Sequence, residues 1–226
     1  MKKLISIIGI TLATIIVVTA QNKETRALGS FDEIKVGQSI RLTIIPGEKN
    51  EAIVETTGVD VERVETEISG DLLKIGMARG SYNSTTVNVT LTFKELSGVK
   101  VSSSARLNGK GVIKADDFYA DVSSSGRASL EVSVNKLKVE VSSSGRLELS
   151  GTANTQVVDV SSSGRYSAFG VQSDGVKADV SSSGRVEVSV AKEIYADASS
   201  SGRISYRGNP EKVIADTSSS GKVSKE

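Results

Sequence analysis

Apolar and polar residues alternate through most of the chain from residue 31 onward. The segment VKADVSSSGRVEVSV (residues 176–190) shows the pattern: apolar residues alternate with Lys and Asp, a Ser-Ser-Ser-Gly stretch interrupts them, and Val then alternates with Glu and Ser. A period of two rich in β-branched residues is typical of β-strands, and no apolar stripe at helical spacing is present. Each unit therefore predicts a strand, a tight corner, a second strand and a short return.

One phrase occurs seven times after residue 100. It reads VSSSAR once, VSSSGR four times, ASSSGR once and TSSSGK once, and the first serines are Ser102, Ser123, Ser142, Ser161, Ser181, Ser199 and Ser218. Consecutive antiparallel hairpins could build a propeller or a sandwich from such units, but a propeller blade needs about 40 residues. The observed steps of 21, 19, 19, 20, 18 and 19 residues suit one coil of a parallel β-helix, with coils about 4.8 Å apart.

Stacked coils would align equivalent residues into columns. Two apolar columns are predicted to point inward: Leu107, Ala128, Leu147, Tyr166, Val186, Ile204 and Val223 after the corner, and Val101, Val122, Val141, Val160, Val180, Ala198 and Thr217 before it. The glycine of the phrase is expected to supply a positive φ, so the corner with Ala105 in its place should differ from the others. The serine hydroxyls are expected to hydrogen-bond to one another and to the backbone along the stack.

The rest of the chain divides into three segments. Residues 1–20 have a basic start, an apolar run and small residues before Gln21, as in a cleaved signal peptide; a membrane anchor is the alternative, at the lower limit of spanning length. Residues 21–30 are predicted to form a short linker. Residues 31–98 are β-rich but lack the serine phrase, and they are predicted to form an irregular cap on the seven-coil solenoid of residues 99–226.

Composition excludes several kinds of chemistry. The 226 residues contain no Cys, His or Trp, which removes thiolate nucleophiles, disulfides, Ser-His-Asp triads and zinc sites built on Cys or His. Lys and Arg total 28 against 27 Asp and Glu, so the net charge of +1 does not indicate a nucleic-acid partner. The chain after residue 20 contains no second apolar span, and no cofactor is predicted.

Two charged columns are the candidate functional features. The basic column comprises Arg106, Arg127, Arg146, Arg165, Arg185, Arg203 and Lys222. The acidic column comprises Asp121, Glu140, Asp159, Asp179, Asp197 and Asp216, with Lys100 in the first coil.

Three interpretations of these columns are open. Both columns could simply face water and offset one another, since exposed charge pairs are worth little. The basic column could instead bind carboxylate or sulfate groups of a repeating polymer, because guanidinium groups recognise such anions bidentately. Calcium on the acidic column is the third interpretation, although the nine-residue glycine-rich pattern of calcium-binding solenoids is absent.

An interaction protein is favoured over an enzyme. A lyase-like polysaccharide-active β-helix is the main alternative, and a purely structural envelope scaffold is another. Such catalysis needs carboxylates and a base at non-repeating positions in a cleft, whereas the charged residues here are the repeated ones. No catalytic or metal-binding residue is predicted, and an acidic glycan or an envelope or surface protein is the expected partner.

The export signal, the FDEIKVGQSIRLTIIPGEK opening, the ELSGVKVSSSARLNG junction and the SSSGR coils together resemble the DUF2807 family, putative auto-transporter adhesins with a head GIN domain that are common in Bacteroidetes. The resemblance covers nearly all of residues 31–226, although the family's usual coil phrase is of a Ser-Gly-Ser-Gly type. It implies a right-handed β-helix that is exported to the periplasm, outer surface or medium. It supplies no catalytic residues.

Overall fold

The structure, a computed structural model, describes residues 21–226, so the predicted signal peptide lies outside the described residues. One continuous sheet of 17 strands makes up the fold, with a single 3-10 turn at Val61–Arg63 and no α-helix among the described residues. The strands are β1 (Gln21–Ala27), β2 (Glu33–Val36), β3 (Arg41–Pro46), β4 (Glu51–Thr57), β5 (Val64–Ser69), β6 (Leu72–Met77), β7 (Thr86–Phe93), β8 (Gly98–Val101), β9 (Arg106–Val122), β10 (Arg127–Val141), β11 (Arg146–Val160), β12 (Arg165–Val180), β13 (Arg185–Ser189), β14 (Glu193–Ala198), β15 (Arg203–Arg207), β16 (Lys212–Thr217) and β17 (Lys222–Lys225).

The predicted parallel solenoid is confirmed. Strands β9 to β12 each run from one serine corner to the next, and each pairs in parallel with the equivalent strand of the neighbouring coil. Within β10, burial alternates strictly until Asn135 and Lys136, where two successive residues face solvent. The chain therefore turns once at the serine corner and again at this bend, which lets about 19 residues close one coil.

Both predicted apolar columns point into the solenoid. Every member from the first six coils is buried, and Tyr166, Val122, Val160 and Ala198 have no exposed side-chain surface. The seventh coil differs because no further coil covers it: Thr217 is exposed and Val223 is only partly buried. Each Val side chain that is buried in this way stabilises the fold by roughly 1.5–3 kcal/mol.

The geometry of the corners corrects the role expected for the glycine. The positive φ angles belong to the second and third serines, for example 48° at Ser162 and 63° at Ser163, and the corner glycines are not in the left-handed region. Glycine is needed there because the backbones approach closely: a Cβ on Gly164 would lie 2.6 Å from the Val141 carbonyl oxygen of the preceding coil. The corner containing Ala105 has the same pair of positive φ angles, so the expected difference is wrong.

Backbone groups, rather than hydroxyls, connect the corners. The amide of Ser144 donates to the carbonyl of Ser162 at 3.1 Å, and the amide of Ser161 donates to the carbonyl of Val141 at 2.9 Å; the other coils repeat both bonds. Among the described residues, no side-chain hydrogen bond involves a serine of the seven phrases, which corrects the expected hydroxyl ladder. The second and third serines of each phrase are exposed to solvent.

The N-terminal region adds two coils in an order that differs from the sequence. Strands β2 and β3 pair in parallel with β8 and β9 on one side and with β6 and β7 on the other, so the coil of β2 and β3 lies between two later segments. Strands β4 and β5 then run antiparallel to β7 and β6, and β1 pairs antiparallel with β4. These antiparallel strands cover the N-terminal end of the stack.

The structure adds detail to two of the predicted segments. Residues 21–30, expected to be a linker, contain β1, whose seven residues pair with β4. The predicted cap, residues 31–98, contains genuine solenoid structure, because Val36 and Arg41 align with Val101 and Arg106 of the first serine coil. Among residues 21–226, no helix is long and apolar enough to cross a membrane.

Candidate functional site

The predicted basic column forms a continuous row on the outside of the solenoid. Strand pairing places its members directly opposite one another from coil to coil: Arg106, Arg127, Arg146, Arg165, Arg185, Arg203 and Lys222. Arg41 pairs with Arg106 and extends the column to eight cations. With coils about 4.8 Å apart, the eight cations span about 34 Å.

Arg41 was missed because its corner does not resemble the serine phrase at first sight. The sequence signal is nevertheless present: VGQSIRL at residues 36–42 aligns position by position with VSSSARL at residues 101–107. Gln38 and Ser39 adopt φ angles of 55° and 61°, as the second and third serines do in the other corners. A search that allowed substitutions within the phrase would have found this eighth copy.

The cations of this column are exposed and have no carboxylate partner. All eight side chains face solvent, and within the part of the chain that the structure describes, none lies within 4.0 Å of a carboxylate or makes a side-chain hydrogen bond. Like charges at this spacing repel one another by about 1 kcal/mol in water. A bound polyanion would relieve that repulsion at every coil.

A shallow groove runs beside the basic column. One depression, with a volume of about 430 Å³, lies among four of the arginines and a second outward column two residues further along each strand. A neighbouring depression of about 220 Å³ lies on the other side of that second column and reaches Phe169, whose ring is 3.9 Å from the Arg207 guanidinium. The members of the second column are Thr43, Asn108, Ser129, Glu148, Ser167, Glu187, Ser205 and Ser224.

The acidic column is aligned as predicted, but its N-terminal part is basic. Lys35 and Lys100 lie opposite each other in the strand register and occupy the first two positions of the column. The positions that follow are Asp121, Glu140, Asp159, Asp179, Asp197 and Asp216. Of the six carboxylates, only Glu140 forms an ion pair among the described residues, at 2.9 Å from Lys138. The two columns therefore make no ion pairs with each other.

Tyr119 is the centre of a polar cluster at the start of the acidic column. Its hydroxyl donates to Glu140 at 2.9 Å, and Lys138 lies over its ring at 5.3 Å from the centroid. Burial and the bond to Glu140 raise the pKa of the Tyr119 hydroxyl, so it stays protonated. Burial, followed by the charge of Glu140, raises the pKa of Asp121, whereas hydrogen bonds from Lys138 and Tyr119 lower the pKa of Glu140.

This cluster borders a depression of about 640 Å³ that also reaches Glu33, Asp117 and Lys136. Its charges are already paired: Lys100 lies 2.6 Å from Glu33, and Lys136 lies 3.7 Å from Asp117. Residues 21–226 contain no group of three Asp, Glu, His or Cys side chains placed to hold a metal ion. The basic column, by contrast, has no such paired charges among the described residues.

Known proteins of similar structure share this architecture. A putative adhesin from Bacteroides fragilis NCTC 9343 superposes with a TM-score of 0.80 at 16% identity, over 92% of this chain and 97% of that one. A putative adhesin from Parabacteroides merdae ATCC 43184 gives a TM-score of 0.74 at 20% identity, over 91% and 96% of the two chains. A putative lipid binding protein from Parabacteroides distasonis ATCC 8503 gives 0.73 at 21% identity, over 91% and 96%. At these identities the likeness shows the fold alone.

The sequence itself matches a family described as putative auto-transporter adhesin, head GIN domain, over residues 30–210. No curated protein matches the chain. The family match spans both the N-terminal coils and the serine corners down to the sixth coil. The chain therefore belongs to the DUF2807 family of putative auto-transporter adhesins with a head GIN domain.

Proposed function

We propose that this protein is an exported, non-enzymatic adhesin-like protein that binds acidic polymers of the cell envelope or surface along its basic column. The observation that supports the proposal most strongly is the row of eight exposed, in-register cations without carboxylate partners. Guanidinium groups bind carboxylate and sulfate groups bidentately, and a row of them offers the same contact at every coil.

The balance of charges favours binding over catalysis. In the polar cluster around Tyr119, at the start of the acidic column, lysines and carboxylates are paired and the tyrosine pKa is raised. A tyrosine with a raised pKa is a poor general base, and a base with a pKa near the working pH is what lyase chemistry needs. Membership of an adhesin-type family agrees with a binding role.

Export is part of the proposal and has its own test. Protein isolated from the native cell should begin near Gln21, and fractionation should recover it outside the inner membrane. An intact Met1 N-terminus in a cytoplasmic fraction would contradict export. Surface proteolysis of whole cells would then distinguish an outer-surface location from a periplasmic one.

Binding is tested by neutralising the middle of the column. Replacing Arg146, Arg165 and Arg185 together with Gln should abolish binding to an acidic glycan array, because a polymer has to cross these coils. All three side chains are exposed, so the circular dichroism spectrum should stay that of the wild type. Wild-type binding should weaken as salt is added, since exposed charges are screened over about 8–10 Å at physiological ionic strength.

A matched control is available on the acidic column. Replacing Asp159, Asp179 and Asp197 with Asn removes three exposed charges from three neighbouring coils. These aspartates occupy equivalent positions before the corners that lead into Arg165, Arg185 and Arg203. This variant should bind as tightly as the wild type or more tightly. If the arginine variant binds unchanged, or if the wild type depolymerises an acidic polysaccharide, the proposal is wrong.

A further inference from the structure

The serine corners separate two opposite faces of the solenoid. At each corner the amide of the fourth residue donates to the carbonyl of the first, as Gly164 does to Ser161 at 2.8 Å, and the two residues between them have positive φ angles. This is the pattern of a type I′ turn, which reverses the direction of the chain. The strand that enters a corner and the strand that leaves it therefore lie on opposite sides, with the acidic column on one face and the basic column on the other.

The two columns match each other coil by coil. The carboxylate before a corner and the cation after it are six positions apart in the chain, for example Asp159 and Arg165. Both columns repeat once per coil, at about 4.8 Å. Two copies placed side by side, with parallel axes and with their corners on the same side, would therefore bring cations opposite carboxylates. The six matched pairs are Arg127 with Asp121, Arg146 with Glu140, Arg165 with Asp159, Arg185 with Asp179, Arg203 with Asp197 and Lys222 with Asp216.

The columns beside these two are complementary in the same alignment. On the acidic face, the residues two positions before the carboxylates form a tyrosine column that comprises Tyr119, Lys138, Val157, Lys177, Tyr195 and Ile214. Its lysines fall in the same coils as the two glutamates of the second column on the basic face. Glu148 would face Lys138 of the next copy, and Glu187 would face Lys177. Serines would face the other four members.

The alignment has like charges opposite each other in the two N-terminal coils. Lys35 and Lys100 occupy the carboxylate positions there, opposite Arg41 and Arg106. Lys100 is already paired with Glu33 of its own chain at 2.6 Å, which reduces its repulsion of a neighbouring cation. The complementary surface therefore consists of the six C-terminal coils.

Exposed apolar side chains lie on the same surface. Val157 and Ile214 are 48% and 47% exposed, and both belong to the tyrosine column. A second copy on the acidic face would cover them. Six coils at about 4.8 Å and five residues of strand give an interface of roughly 900 Å² over both copies, a size typical of weak and reversible contacts.

We infer that the acidic face binds the basic face of a second copy of this chain, so that copies stack side by side with parallel solenoid axes. Because the two faces differ, such a stack is open-ended and leaves a basic column uncovered on its last copy. The inference goes beyond the proposed function and does not require it. An acidic polymer and the acidic face of another copy would compete for the same arginines.

Sedimentation velocity with two charge-reversal variants tests the stacking. The wild type should associate reversibly at low ionic strength and dissociate in about 1 M salt, where charges are screened within about 3 Å. Asp159→Lys/Asp179→Lys/Asp197→Lys reverses three charges on the acidic face, and Arg165→Glu/Arg185→Glu/Arg203→Glu reverses three on the basic face. Each variant alone should lose association, because like charges meet on three coils. An equal mixture of the two should associate again, because each reversed column complements the other.

Two controls accompany these variants. Neutralising the same three aspartates with Asn should weaken association roughly three- to hundredfold, since an exposed ion pair changes an equilibrium constant by a factor of about 1.4 to 5. Glu62→Lys/Glu65→Lys/Glu67→Lys makes the same change in net charge on exposed residues outside both columns, and it should associate like the wild type. Circular dichroism checks that every variant is folded.

Cysteine cross-linking gives a test that leaves the charges unchanged. The chain has no Cys, so Val157→Cys on the acidic face and Ser167→Cys on the basic face each introduce a single thiol. These positions would face each other between neighbouring copies. Oxidation of an equal mixture with copper phenanthroline at low ionic strength should give disulfide-linked dimers of unlike variants, and either variant alone should give few.

The outcomes separate the inference from the proposed function. A wild type that stays monomeric at low ionic strength, a mixture of charge-reversal variants that does not associate, or the absence of unlike disulfide dimers would each show that the inference is wrong. Association that persists in both single variants would indicate a different contact and would also overturn it. Binding of a polyanion is measured separately, so the proposed function can fail while stacking is observed, and stacking can fail while a polyanion binds.

Discussion

Replacing Gly164 by Ala tests why the corners need glycine. The added methyl group would lie 2.6 Å from the Val141 carbonyl oxygen and 2.9 Å from that of Ser161, both of them backbone atoms that cannot rotate away. The Val141 oxygen also accepts the Ser161 amide at 2.9 Å, so any shift that makes room for the methyl group strains a bond between coils. The substitution therefore acts on stacking rather than on local backbone strain.

The structure indicates how far a corner can open. The amide at the glycine position donates to the first residue of the turn at 2.7–2.8 Å in the six glycine corners, at 3.0 Å where Ala105 replaces glycine, and at 3.3 Å where Ile40 does. The corner thus widens as the side chain grows. Overpacking typically costs about 1–3 kcal/mol, and weakening a buried hydrogen bond adds about 1 kcal/mol. We expect Gly164→Ala to lower the free energy of unfolding by about 2–4 kcal/mol.

The matched variant is Ser163→Gly in the same corner. Ser163 has a φ of 63°, where a residue with a Cβ is strained by about 1–2 kcal/mol. Glycine relieves that strain but loses about 0.5–1 kcal/mol in conformational entropy. The net change should lie within about 1 kcal/mol of zero. Urea unfolding followed by circular dichroism measures both variants, and the reasoning is refuted if Gly164→Ala is no less stable than Ser163→Gly.

Two further predictions concern the interior and the pH dependence. Tyr166→Phe should lower the free energy of unfolding by about 1–3 kcal/mol, because it leaves the buried Gln156 Oε1 without the hydroxyl that donates to it at 2.7 Å. Gln156 Nε2 also donates to Ser173 at 2.6 Å. The triple variant Tyr166→Phe/Gln156→Leu/Ser173→Ala removes all three polar groups and should therefore recover much of the lost stability, as measured by thermal unfolding. Asp121→Asn should stabilise the fold at neutral pH, because burial and Glu140 raise the pKa of Asp121 and its ionised form therefore destabilises the folded state. That advantage should shrink as the pH falls through the raised pKa and Asp121 itself becomes protonated; a variant less stable than the wild type at neutral pH would contradict this reasoning.

Much of the fold could be predicted from the repeat. Identical phrases every 19 or so residues have to occupy identical surroundings, which is why the column containing Leu147 and Tyr166 and the column containing Val141 and Val160 could be assigned correctly. The role of glycine could not, because the close approach between Gly164 and Val141 exists only once coils are stacked. The sequence alone shows a Ser-Ser-Ser-Gly turn, in which the glycine is expected to adopt a positive φ angle.

The N-terminal half shows where pattern analysis fails. Nothing local indicates that the coil of β2 and β3 lies between strands that come later in the chain, because that order depends on pairing over long separations. Glu148 and Ser167 are visible in the sequence, but the groove that they line beside Arg146 exists only once the coils are stacked. For the same reason Arg41 joins the candidate site only through its pairing with Arg106.

A crystal structure of residues 21–226 with a bound acidic oligosaccharide would test the central claim most directly. The account predicts a sugar chain parallel to the solenoid axis, with its acidic groups bound to consecutive arginines of the basic column, among them Arg146, Arg165 and Arg185. A ligand bound instead in the depression around Tyr119, or one lying across the coils without contacting the arginines, would contradict it.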